Sequence, residues 1–183
     1  MQAKRGRGRR AATASTGSQP ITFPSGVRRP SPLAQELFDL LLQRRMSGAT
    51  CGTPEGKLID FPPLPLDTLE FDCRLWKAAR LQSRNMASEK LLLPDPLFNG
   101  ETFEQRAAAQ GTRASGERLA TTREGVPENL LRLWLASKEC VVIMDPALRR
   151  IGVESVKTDE WYWTAIFDTE EDGSTDKHCL AGA

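Results

Sequence analysis

Between residues 150 and 167 the chain carries two segments with a period of two. They restrict the fold more than any other stretch. In residues 161–167, Trp161, Trp163, Ala165 and Phe167 fall on one side and Tyr162, Thr164 and Ile166 on the other. That is the alternation of a strand whose two faces meet different surroundings. Residues 150–156 form a second β-like segment, and the short polar link at 157–160 predicts an antiparallel hairpin. Upstream, Leu130, Leu131, Leu133, Trp134 and Leu135 give a helix pattern. It runs into an apolar run from Val141 to Met144 and a turn at Asp145 and Pro146. Three of the four Trp lie within residues 130–167, so much of the core is expected here, with the rest of the chain covering it.

A chain of 183 residues allows one domain with tails. Its 39% hydrophobic and 27% charged residues are ordinary for a globular protein. The net charge of +1 points to no partner, but its distribution is uneven. The first 35 residues hold Lys4, Arg5, Arg7, Arg9, Arg10, Arg28 and Arg29 and no acid, which leaves 18 basic and 24 acidic residues in the remainder. Residues 1–31, rich in Arg, Gly, Ser, Thr and Pro and without an apolar period, are expected to be a disordered basic arm. The alternative is an electrostatic clamp on nucleic acid or an anionic surface. No aromatic residue interleaves the KRGRGRR run for base stacking, so a solvated tail is preferred and nucleic acid is not the expected partner. Residues 11–17 are too polar for the core of a secretory signal, and no run approaches the ~20 apolar residues of a membrane span.

Ser31 and Pro32 open a helical stripe of Leu33, Leu37, Leu40 and Leu41, with Arg44 and Arg45 near its end and Gly48 as its stop. Residues 53–67, with prolines at 62, 63 and 65, read as an extended connector. A second helix is expected from Leu69 or Asp72 to about Ser88, with Leu75, Ala79, Gln82 and Met86 on one face. Gln82 is the polar member of that stripe and suits a cleft edge. A third, short helix follows from Thr102 to Gln110, with Thr102 as cap, Gln105 three residues on, and Gly111 as stop.

Seven short motifs now stand in a particular order. They are LQSRNMA at residues 81–87, EQRAAAQG at 104–111, GERLA at 116–120, WLASKEC at 134–140, IMDP at 143–146, IGVE at 151–154 and YWTAIF at 162–167, preceded by RRMSGATCG at 44–52. In this order they resemble the bacterial branch of the CAP superfamily, the SCP-like or cysteine-rich secretory and pathogenesis-related domains. The resemblance covers about residues 33–167. It implies an α+β fold, a three-layer α-β-α sandwich around a small antiparallel sheet. It places the domain at residues 32–168, with 169–183 as an acidic flexible tail. It also implies an extracellular or periplasmic location, although no signal peptide is visible and a cytoplasmic one stays open.

The family's full site carries two His and two Glu around a central cleft that can hold a divalent metal. Against that pattern the first His falls near Pro94, the Glu of the GERLA segment on Glu117, the second Glu on Ser137 and the second His on Glu139. A further helix His falls on Gln82. The one His of the chain, His178, stands in the tail. A cleft without imidazole is a poor zinc site and lacks the usual proton carrier at neutral pH, so no metal or other cofactor is expected. Glu117 and Glu139 remain as a candidate carboxylate pair for acid–base work. The preferred alternative has Glu117 satisfying backbone N–H groups at a turn and Glu139 simply exposed. The resemblance also suggests a disulfide between Cys51 and Cys140. Cys73 fits a buried thiol and Cys179, in the tail, a free one. The functional expectation is therefore a non-catalytic, exported domain that binds a lipid or protein partner through a vestigial cleft. A hydrolase using Glu117 and Glu139 is the first alternative, and binding through the Arg-rich arm the second.

Overall fold

A computed structural model describes residues 29–53, 55–92, 100–169 and 174–180. Most of the basic arm and Pro94 therefore lie outside the described residues. The first helix, α1 (Pro32–Ser47), begins where Ser31 accepts the Ala34 amide and ends at Gly48, whose φ of 72° suits a residue without Cβ. A two-stranded antiparallel hairpin follows, β1 (Ala49–Gly52) and β2 (Leu58–Phe61). Residues 53–67 are thus not wholly the extended connector that their prolines suggest. β2 exposes Leu58, Ile59 and Asp60, and only beyond it does the proline-rich path run extended.

The main sheet contains β3 (Glu70–Phe71), β4 (Gly116–Thr122), β5 (Arg150–Lys157) and β6 (Trp161–Asp168) in the order β3-β5-β6-β4. The expected hairpin is β5–β6, pairing Arg150 with Asp168 through to Lys157 with Trp161. The sheet is antiparallel except for the two-residue β3, which runs parallel to β5.

Each face of β6 meets a different layer. Tyr162, Thr164 and Ile166 face α2 (Cys73–Glu89) and α3 (Phe103–Ala109), where Leu75, Ala78, Ala79 and Ala107 pack with Ile166. Trp163, Ala165 and Phe167 face α1, α4 (Pro127–Leu135) and α5 (Glu139–Ile143) in the larger apolar cluster. This is the three-layer sandwich. Trp76 and Trp163 are fully buried. An aromatic side chain of this size contributes about 4–6 kcal/mol of gross burial free energy.

Asp72 caps α2 by accepting the Arg74 and Leu75 amides, and Thr102 and Gln105 form a reciprocal capping box on α3. Arg45 does more than suit the end of α1. It is 1% exposed and donates to the carbonyls of Ile143, Asp145 and Leu148, which closes the turn after α5. Burial pushes its pKa down to about 10, so it remains a cation at neutral pH.

The end of the chain departs from expectation. Cys179 is bonded to Cys73 and is 4% exposed, so it is neither free nor clear of the fold. Ser174–Leu180 lies as a strap across the start of α2. The Cys73 amide donates to the Asp176 carbonyl (2.7 Å), and Lys177 pairs with Glu70 (2.6 Å).

Two carboxylates, Glu70 and Asp72, fasten this strap and a third, Asp176, braces it from within, and all three hold protons less readily than usual. Lys177 and the Thr175 hydroxyl lower Glu70, and the His178 amide and ring lower Asp176. At Asp72 burial acts upward, but hydrogen bonds from Arg74 and from the Asp176 and Leu75 amides outweigh it. Because each folded value is depressed, the stabilisation is present above the ordinary carboxylate range and is lost as pH falls below it. Acidification below about pH 4 is therefore expected to reduce hydrogen-exchange protection at the Asp176 and Cys179 amides before it touches β5 and β6. Simultaneous loss would show that these carboxylates are not the fastening.

Candidate functional site

Glu117 and Arg118 are neighbours on β4, so the pleat sends their side chains to opposite faces of the sheet. Glu117 pairs with Ile166 across the ladder and therefore lies on the α2–α3 side. There it accepts a hydrogen bond from the Arg106 guanidinium of α3 at 2.7 Å, with both side chains almost wholly buried. Arg118 pairs with Ala165 and lies on the other side, where it forms an ion pair with Glu139 at the start of α5 and stacks over the Phe167 ring at 5.4 Å. Burial lowers the pKa of Arg118.

The five predicted positions are consequently divided. Gln82 is buried on α2, on the same side of the sheet as Glu117. Ser137 and Glu139 lie on the opposite side, where the Ser137 hydroxyl donates to the Trp134 carbonyl and accepts the Glu139 amide. Pro94 lies outside the described residues. Two details of the preferred alternative are corrected. Glu117 is in a strand, not a turn, and pairs with an arginine. Glu139 is 18% exposed and ion-paired.

A carboxylate pair for acid–base catalysis must reach one substrate together. Glu117 and Glu139 are separated by the sheet, and each already faces a guanidinium. Among the described residues no group of three or more His, Cys, Asp or Glu is placed to hold a metal ion. The space beside Arg118 is closely filled. A void of about 10 Å³ is all that remains among Leu41, Leu69, Arg118, Trp134, Ile143 and Phe167.

A larger concavity, of about 370 Å³, lies elsewhere, between α2 and the C-terminal strap. Lys77, Arg80, Asp176 and His178 line it together with both sulfur-bearing residues of the Cys73–Cys179 bond. Sequence reasoning missed this cleft because it placed the tail beyond the fold. A trace of it was available, since Cys73, Lys77 and Arg80 are spaced four and three apart and share one helix face.

The other disulfide, Cys51–Cys140, rivets β1 to α5 as the resemblance implied. That bond, the α-β-α order and the motif string converge on one family, and the sequence profile of the cysteine-rich secretory protein (CAP) family matches residues 43–167. The chain belongs to the CAP family. This CAP domain is similar in fold to a solved extracellular protein of Bacillus anthracis that contains an SCP domain. The TM-score is 0.54 at 19% identity, with 82% of this chain and 45% of that one covered. It is also similar to an outer surface protein of Borrelia burgdorferi, with a TM-score of 0.50 at 15% identity, covering 75% of this chain and 96% of that one. A comparison with curated proteins finds no match.

The cleft metal that other CAP domains can carry does not fit the residues present here. Glu117 and Glu139 cannot converge on one ion, and an arginine beside each carboxylate repels a cation.

Proposed function

We propose that this CAP domain is an exported, non-catalytic binding protein whose partner, a protein or a lipid, is held at the surface. The observation that carries the reading is the division of Glu117 and Glu139 between the two faces of the sheet, each engaged by its own arginine. Among the described residues, Glu117 and Glu139 do not stand side by side as a general acid and base would. The close packing around Arg118 also matters. Ligand pockets for small molecules usually measure roughly 300–1,000 Å³, so a void of about 10 Å³ leaves no room there for an acyl chain. Two disulfides within one domain favour an oxidising compartment. The extracellular and outer-surface descriptions of the two structural neighbours point the same way.

The test compares the wild-type chain with Glu117→Gln on fluorogenic peptide and ester substrates. Both proteins are expected to give the buffer rate. Turnover by the wild type that disappears in Glu117→Gln would restore the hydrolase alternative.

A further inference from the structure

The two disulfides of this domain are both buried, but one of them also borders a cleft at the start of a long helix. Cys73 is the first residue of the 17-residue helix α2. A thiolate there is favoured by the unpaired amides and positive dipole end of the helix. Its sulfur also accepts the Cys179 amide at 2.9 Å. The acid that precedes it in the chain, Asp72, is already engaged by Arg74 at 2.9 Å and by Arg150 at 3.6 Å. Both cysteines are nearly inaccessible from bulk water, but they form part of the wall of the 370 Å³ cleft. The same wall carries Lys77, Arg80 and His178, with Asp176 engaged by His178 at 2.7 Å. Cys140, by contrast, follows Glu139 in the five-residue α5. Both disulfides belong to the main apolar cluster, and Cys73 and Cys179 differ in also lining the cleft at a helix start.

We propose that Cys73–Cys179 is a thiol-exchange site that admits a small anionic thiol through the cationic cleft. The incoming thiol loses its proton to solvent, and its thiolate attacks Sγ of Cys179. The bond between Cys179 and Cys73 breaks as the new one forms, and its electron pair leaves on Cys73. The products are a mixed disulfide at Cys179 and a thiolate at the helix start. A second thiol attacks the mixed disulfide and completes a two-electron reduction, leaving both cysteines as thiols and the small thiol as its own disulfide. Attack at Cys179 is preferred because the thiol that ionises more easily is the better leaving group. Opening the bond frees Ser174–Leu180 from its covalent hold on α2, while Cys51–Cys140 stays closed. This is independent of whether the domain is catalytic.

The full oxidised chain is incubated at neutral pH with glutathione, which is anionic, or with cysteamine, which is cationic. It is then trapped with iodoacetamide and mapped by peptide mass spectrometry. Cys73 and Cys179 are expected to open at least about tenfold faster than Cys51 and Cys140, with the glutathione adduct on Cys179. Lys77→Gln, a change at an exposed position, is expected to slow glutathione several-fold and to leave cysteamine unslowed, as the loss of a cationic steering charge requires. The proposal is overturned if the two disulfides open together, if Cys51–Cys140 opens first, if the adduct sits on Cys73, or if Lys77→Gln slows both thiols alike.

Discussion

Gly152→Ala is expected to lower the stability of this domain by about 3 kcal/mol or more, the upper end of what overpacking costs. Gly152 lies on β5 opposite Ile166, on the face that receives α2. A Cβ built there would stand 1.9 Å from the Trp76 nitrogen and 2.2 Å from the Leu75 carbonyl carbon. Both obstacles are backbone, so no rotamer change relieves them. Either α2 lifts from the sheet or β5 bends. Either response disturbs the bond from the Trp76 indole to Glu154, 2.8 Å long, and the Ser83 hydroxyl bond to Thr164, 2.9 Å long. For a protein of this size the melting temperature should fall by roughly 6–12 °C. A denaturant midpoint unchanged from wild type would mean that α2 does not approach β5 this closely.

The second large effect concerns Cys51–Cys140. Replacing both residues with alanine opens a link that spans 89 positions. In the chain-entropy account such a closure is worth about 4–5 kcal/mol, and the two buried positions lose sulfur packing in addition. The bond also fixes the β1–β2 hairpin, whose strands pair only with each other, to α5. The double variant should therefore melt roughly 8–20 °C lower, and the hairpin amides should exchange faster than those of β6. A loss below about 0.5 kcal/mol, within the range of an ordinary surface change, would show that the link contributes little to the folded state.

How much of this was legible in the sequence depended on whether each signal was local. Ser31, Asp72 and Thr102 announced helix starts because a cap is written within four residues. The β5–β6 hairpin was legible because both faces of β6 carry large apolar groups at alternate positions. β2 was not, since a strand exposed on most of its length shows no burial period and its neighbours are prolines. β4 hid for a related reason. Its GERLATT sequence carries charge at adjacent positions, which imitates a turn. The candidate pairing of Glu117 with Glu139 came from the family's site pattern, which does not say on which face of the sheet each side chain falls; only the strand assignment forces residues 117 and 118 apart. The Cys73–Cys179 link spans 106 positions and cannot be read from spacing at all. With it went the strap, the second cleft and the role of Lys77.

The alternating charges of β4 have a consequence for folding. This strand pairs with β6 alone, so one of its edges has no ladder in the main sheet to correct a misalignment. A slip by one residue would exchange its two sides. Glu117 would then meet Glu139, and Arg118 would meet Arg106, two repulsions in place of two attractions. Sliding errors at an edge strand are ordinarily punished by misplaced apolar groups. Here four charges add a second lock, because the aligned strand alone gives each arginine a carboxylate.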